Sequence, residues 1–177
     1  MKKVLYASLL SILVVAAPAA FAAQQVDACT PAPVITTLPY TDSGTTCGFT
    51  NDLNNYGGTC GTALPFPYPG PDVIYAFATT AGNSVAISAS LTGSTGDLAL
   101  FVIDTTCGTA ANCNHQSQDA IGVGAGPENI AAATYSVGNH YIYVDSYYGA
   151  PTAGNCGTYT LTVSGSLPVE LDQFSID

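Results

Sequence analysis

The chain is 177 residues long and carries a formal net charge of −10, from twelve acidic residues against two basic ones. The basic residues are Lys2 and Lys3, and from Val4 to Asp177 there is neither Lys nor Arg. This distribution excludes an electrostatic footprint for nucleic acid, attraction to an anionic membrane surface, a lysine nucleophile and an arginine clamp for phosphate.

The length fits one domain. Eighteen Gly, 11 Pro and 11 Tyr, with 8% charged residues, favour strands and turns over helices.

Residues 1–22 read as a secretory signal peptide. Lys2-Lys3 is a positive start, Val4 to Ala17 an apolar stretch, and Ala20-Phe21-Ala22 a small-residue cleavage site. The mature chain then begins at Ala23 and keeps every acid. No later apolar run approaches the ~20 residues that span a bilayer, so no membrane span is expected. The expected location is outside the cytoplasm, in a periplasm or beyond.

Residues 23–71 are expected to add an N-terminal strand and a long, disulfide-closed loop to the domain. The strand is Val34 to Leu38, and the loop runs from Pro39 to Pro71. Its end, Pro65-Phe66-Pro67-Tyr68-Pro69-Gly70-Pro71, must be extended and cannot sit inside a sheet. Residues 72–165 are the expected sandwich core. Asp72 to Thr79 is a strand. Val85, Ile87, Ala89 and Leu91 alternate with small polar residues, as in a strand with one buried face. Asp97 to Asp104 is apolar on both faces and reads as a central strand. Asn129 to Thr134, His140 to Tyr147 and Gly157 to Ser164 complete the pattern, and residues 166–177 form a tail. Seven to eight such strands without a helical period predict an all-β fold, an antiparallel, jelly-roll-like β-sandwich.

Six cysteines, Cys29, Cys47, Cys60, Cys107, Cys113 and Cys156, read as three disulfides in an exported chain. Zinc is the rival, but its usual C-x(2–4)-C pairs are missing. Six cysteines allow 15 pairings. Local loop closure favours Cys107–Cys113 and Cys47–Cys60, leaving Cys29–Cys156 to tie the ends.

The run from Asp72 to Gly165 resembles the bacterial pre-peptidase C-terminal (PPC) domain family. Asp72-Val73-Ile74-Tyr75-Ala76-Phe77 is similar to its opening strand, and Ala81-Gly82 followed by Val85-Ala86-Ile87 to its hairpin. Gly96 to Val102, Tyr141 to Asp145 and Gly157 to Val163 resemble its later strands, in the same order. Leu167-Pro168-Val169-Glu170-Leu171 resembles a segment near the end of many exported bacterial proteins. The resemblance implies an accessory module found beside secreted hydrolases. Such a module binds substrate or surface, sometimes with calcium, and has no catalytic constellation of its own.

A nucleophile–His–acid system needs a base within reach of a hydroxyl. His115 lies in a polar loop and His140 at the start of a strand, so both read as surface or strand-capping residues. A catalytic carboxylate pair is the less favoured use of the acids. Calcium, which takes oxygen ligands, is the better use, with Asp72, Asp97, Asp104 and Asp145 as candidate ligands flanking strands. Tyr56, Phe66, Tyr68, Tyr147 and Tyr148 fall in or near loops and could form an aromatic binding platform.

The function expected is that of a secreted, non-catalytic module binding an extracellular polymer or protein surface. Two alternatives are a self-associating structural protein of the cell surface and a small hydrolase.

Overall fold

A computed structural model describes residues 26–29, 32, 34–57, 60, 67–80, 86–117, 127–152, 154–165 and 167. The expected signal peptide, the Ala81-Gly82-Asn83 turn, Phe66 and the tail apart from Leu167 lie outside them.

Among the described residues nine strands form: β1 (Val34–Ile35), β2 (Tyr40–Thr45), β3 (Asp72–Thr79), β4 (Ala86–Thr92), β5 (Leu98–Asp104), β6 (Cys113–Ser117), β7 (Glu128–Thr134), β8 (Gly138–Ser146) and β9 (Thr158–Ser164). They make a five-stranded sheet, β1-β3-β8-β5-β6, packed on a four-stranded sheet, β2-β9-β4-β7. All pairings are antiparallel except that of β1 with β3. The fold is thus the expected all-β sandwich, with more strands than the seven or eight predicted. The extra strands are β2 and β6, read from the sequence as loop. Each is an edge strand of mainly polar residues. In β2 the inward position belongs to Asp42, which accepts a hydrogen bond from the Tyr75 hydroxyl at 2.9 Å, so an apolar alternation never develops. The first strand is also shorter than the predicted Val34 to Leu38.

Period-two alternation builds the core between the sheets. Val73, Tyr75, Phe77, Leu100 and Val102 meet Ala89, Leu91, Tyr159, Leu161 and Val163. β5 is buried from Leu98 through Ile103, as expected of a strand with two apolar faces. Its second face belongs to a separate apolar layer, in which Ile74, Phe101, Ile103 and Tyr143 lie under Leu53, Tyr56 and Tyr68. The long loop thus folds back over the outer face of the five-stranded sheet. Each large apolar side chain buried there contributes about 1.5–3 kcal/mol.

Three disulfides form, and none has the pairing that local loop closure favours. They are Cys29–Cys107, Cys47–Cys156 and Cys60–Cys113, with Cα separations of 5.6, 4.9 and 5.7 Å. Strand register, not loop length, decides them. Thr45 pairs with Thr158 across β2 and β9. Continuing that ladder two residues outward sets Cys47 opposite Cys156. Cys107 and Cys113 leave the β5 and β6 region toward different parts of the covering layer. Cys107 takes the N-terminal segment at Cys29, and Cys113 takes the loop at Cys60.

Candidate functional site

Two loop segments meet at one end of the sandwich. Residues 67–71 lead into β3, and their prolines keep them extended and out of the ladder, as the sequence requires. Residues 147–152 leave β8. The two are joined by the Gly70 N–H donating to the Ser146 carbonyl at 3.1 Å and the Ser146 N–H donating to the Pro71 carbonyl at 3.3 Å. Gly70 makes this approach possible, since a methyl group there would collide with Ser146 and with the Tyr148 carbonyl.

Between the segments lies an open groove of about 430 Å³, lined by Pro67, Pro69, Tyr147, Tyr148, Gly149, Ala150 and Thr152. Among the described residues no charged side chain lines it. Tyr147 and Tyr148 meet edge to face, with ring centroids 4.9 Å apart, and Tyr147 rests edge-on against Tyr68 at 5.4 Å. The groove offers tyrosine and proline faces and one threonine hydroxyl. That chemistry suits a neutral ligand with flat or ring-shaped surfaces.

The structure divides the five aromatic residues named from sequence. Tyr147 and Tyr148 are half-buried at the groove. Tyr68 is buried behind Tyr147 and does not line the groove. Tyr56 is not part of a platform. Its ring stacks on Phe101 at 3.6 Å and 7°, and its hydroxyl donates to Asp145 Oδ2 at 2.5 Å. Phe66 lies outside the described residues.

The four candidate calcium ligands are divided as well. Asp72 and Asp145 are register partners on β3 and β8, and Asp97 precedes β5 at the same end. Asp104 closes β5 at the opposite end, about 20 Å away at ~3.3 Å per residue. Among the described residues no group of three or more His, Cys, Asp or Glu could hold a metal ion. The structure therefore does not bring all four together at one point.

Asp72 and Asp145 do something else. Both are fully buried. The N–H groups of Asp52 and Leu53 donate to Asp72 Oδ2 at 2.9 and 3.0 Å. Burial pushes the Asp72 carboxyl up to about 7, against the opposing pull of those two N–H groups. Burial likewise raises Asp145 well above the usual carboxylate range, and the charge of Asp72 adds to the effect. The sequence marked both acids only as candidate cation ligands flanking strands, not as a buried pair.

At the other end, His140 is fully buried, not a surface or capping residue. Its Nδ1 lies 2.7 Å from Asp104 Oδ1 and its Nε2 3.0 Å from Thr79 Oγ1. These are the distances of an acid–base–hydroxyl system, but the arrangement is closed. Nε2 is also 2.9 Å from the Ser136 carbonyl, the Thr79 hydroxyl donates to that same carbonyl, and Thr79 is only 3% exposed. The imidazole is stacked on Phe77 at 4.9 Å. Both ring nitrogens face acceptors, so the ring ties β3, β5 and β8 to the turn before β8. His115, on β6, is half-buried, and burial lowers its pKa.

No protein family profile, curated protein or solved structure matches the chain. Among the described residues no helix is long and apolar enough to cross a membrane. Three disulfides and no free cysteine among the described residues fit an oxidising compartment.

Proposed function

We propose that this protein is an exported, non-catalytic binding module that holds a neutral extracellular polymer in the Tyr147–Tyr148 groove. The observation that carries this reading is the groove itself, an uncharged tyrosine- and proline-lined channel on a rigid support. A flexible loop would lose entropy on binding; here the bonds between residues 70–71 and 146 hold the walls together beforehand. The Lys2-Lys3 start with the apolar stretch after it supports export to the periplasm or exterior, and the resemblance to the PPC family supports an accessory role.

Co-sedimentation with chitin, cellulose, collagen and isolated cell walls tests the reading. Selective retention by one polymer, lost in Tyr148→Ala, is the expected result. Retention unchanged by that substitution contradicts it.

A second reading, a self-associating surface protein, is favoured by the outer face of the four-stranded sheet. Thr41, Ser43, Ser90, Thr92, Thr160 and Thr162 lie there in cross-strand rows. The acids of its strands, Asp42 and Glu128, turn inward and are buried. Its edge strands β2 and β7 carry no lysine, the residue that commonly guards an edge against pairing with another chain. Sedimentation velocity over rising concentration separates the two: a single monomer boundary removes the second reading.

A further inference from the structure

Two acids without a cation lie beneath the groove wall. Asp72 and Asp145 face each other across the β3–β8 ladder, where opposed side chains hold their Cβ atoms about 4.5–5.5 Å apart. The next partners on that face, Ile74 and Tyr143, belong to the outer apolar layer, so both carboxyls point under the covering loop. Each has one oxygen engaged, Asp72 Oδ2 by the N–H groups of Asp52 and Leu53, and Asp145 Oδ2 by the Tyr56 hydroxyl. Each Oδ1 is buried with no hydrogen-bond partner among the described residues.

The titratable groups around the pair are all neutral or acidic. Tyr143 stands beside them on β8, and Asp97 precedes the β5 residue Ala99, which is the register partner of Asp145. Asp52 and Tyr56 come from the loop above, Tyr68 from behind Tyr147, and Asp27 from the N-terminal segment. His140 is occupied with Asp104 at the far end of the sheet, and His115 pairs with Val102 on the edge strand β6. Beyond Lys3 the chain has no Lys or Arg. Two carboxylates in one apolar site cannot both ionise without a counter-charge. In this chain the available counter-charge is a proton.

We propose that Asp72 and Asp145 act as a proton-holding clamp that keeps residues 50–57, and through them the groove wall at 67–70, closed on the acidic side and loosens it as the pair gives up protons. As a regulation of the groove, this rests on the groove reading above. The connection is short. The Asn51 side-chain amide donates to the Tyr68 carbonyl at 2.8 Å, and the Tyr68 N–H donates to the Asn54 carbonyl at 2.8 Å. Tyr68 in turn supports Tyr147.

The sign follows from linkage. Both carboxyls are raised in the folded state, so folding takes up protons that the unfolded chain has already released. The stabilisation is full below the ordinary carboxylate range. It fades as pH climbs through about 7, where Asp72 titrates, and falls further as Asp145 follows. The pair titrates in two coupled steps.

The test is amide hydrogen exchange on the full, disulfide-bonded chain between pH 5 and 9, corrected for intrinsic rates. Protection at the Asp52, Leu53 and Tyr68 amides is expected to fall by about tenfold or more in the wild type, the effect of one pKa unit of differential protonation. In Asp145→Asn, whose amide can donate to Asp72 Oδ1 at any pH, the fall should shrink to about threefold or less. Asp72→Asn supplies the same comparison should the first variant fail to fold. Equal losses in wild type and variants, or no loss in the wild type, would overturn the clamp. Polymer retention is measured separately over the same pH range. Retention that declines with pH in the wild type but persists in Asp145→Asn supports the gating. A clamp that opens while no polymer binds at any pH overturns only the groove reading.

Discussion

Tyr56 stacks face to face on Phe101, 3.6 Å between ring centroids, and its hydroxyl reaches Asp145 across the outer layer of the sandwich. One residue thus packs the loop onto the five-stranded sheet and satisfies one oxygen of a buried acid. The two roles separate by substitution. Tyr56→Phe keeps the stack but strands Asp145 Oδ2, and should lower stability by about 1–3 kcal/mol. Tyr56→Ala also removes the ring and should lower it by about 3–5 kcal/mol. Urea unfolding of the two variants checks this. Equal losses would mean that the ring stack carries no weight, and no loss in Tyr56→Phe would mean that the hydroxyl contact carries none.

The disulfides make a second prediction, because two of the three staple the covering layer and none closes the loop it was expected to close. Cys60–Cys113 spans 53 residues and fixes the long loop to β6. Replacing both by Ser should lower stability by about 2–5 kcal/mol. The pairing itself is read by peptide mapping of the non-reduced protein. A linked peptide containing Cys107 and Cys113 would contradict the structure.

Gly70 offers a test of the groove wall that leaves every lining side chain in place. A Cβ at this position meets the Ser146 backbone and the Tyr148 carbonyl, so Gly70→Ala must push the two segments apart. Overpacking of this kind costs about 1–3 kcal/mol. The variant should therefore melt lower and hold polymer more weakly. An unchanged melt would mean that the segments are not in contact.

Legibility from sequence followed the strength of the local signal. Strands β3, β4, β5 and β9 alternate or run apolar over seven or eight residues, and they form where the pattern places them. β2 and β6 could not be read that way. Asp42 and Cys113 hold their buried positions, and their partners, Tyr75 on β3 and Cys60 in the long loop, are distant in sequence. The proline-rich segment 67–71 was legible because proline geometry is local. The disulfide pairing was not, since it depends on which strands become neighbours. For the same reason Tyr147 and Tyr148 were found at the groove while Tyr56 was misplaced. A tyrosine in a loop looks alike in sequence whether the loop faces solvent or folds back on a sheet. His140 was read as a surface or capping residue, and Asp72 and Asp145 as cation ligands, because polar residues at strand ends ordinarily meet water. Only the covering layer and the turn at Ser136 remove these from it.

The most direct test of the central claim is equilibrium retention of wild type, Tyr148→Ala and Thr160→Ala on the polymer that co-sedimentation selects. Tyr148 lines the groove, whereas Thr160 lies on the outer face of the opposite sheet. Loss of about tenfold in affinity for Tyr148→Ala, with Thr160→Ala and both melting temperatures unchanged, is the result predicted for a stacking contact worth roughly 1–1.5 kcal/mol. Full retention by Tyr148→Ala, or loss confined to Thr160→Ala, would contradict the groove as the binding site.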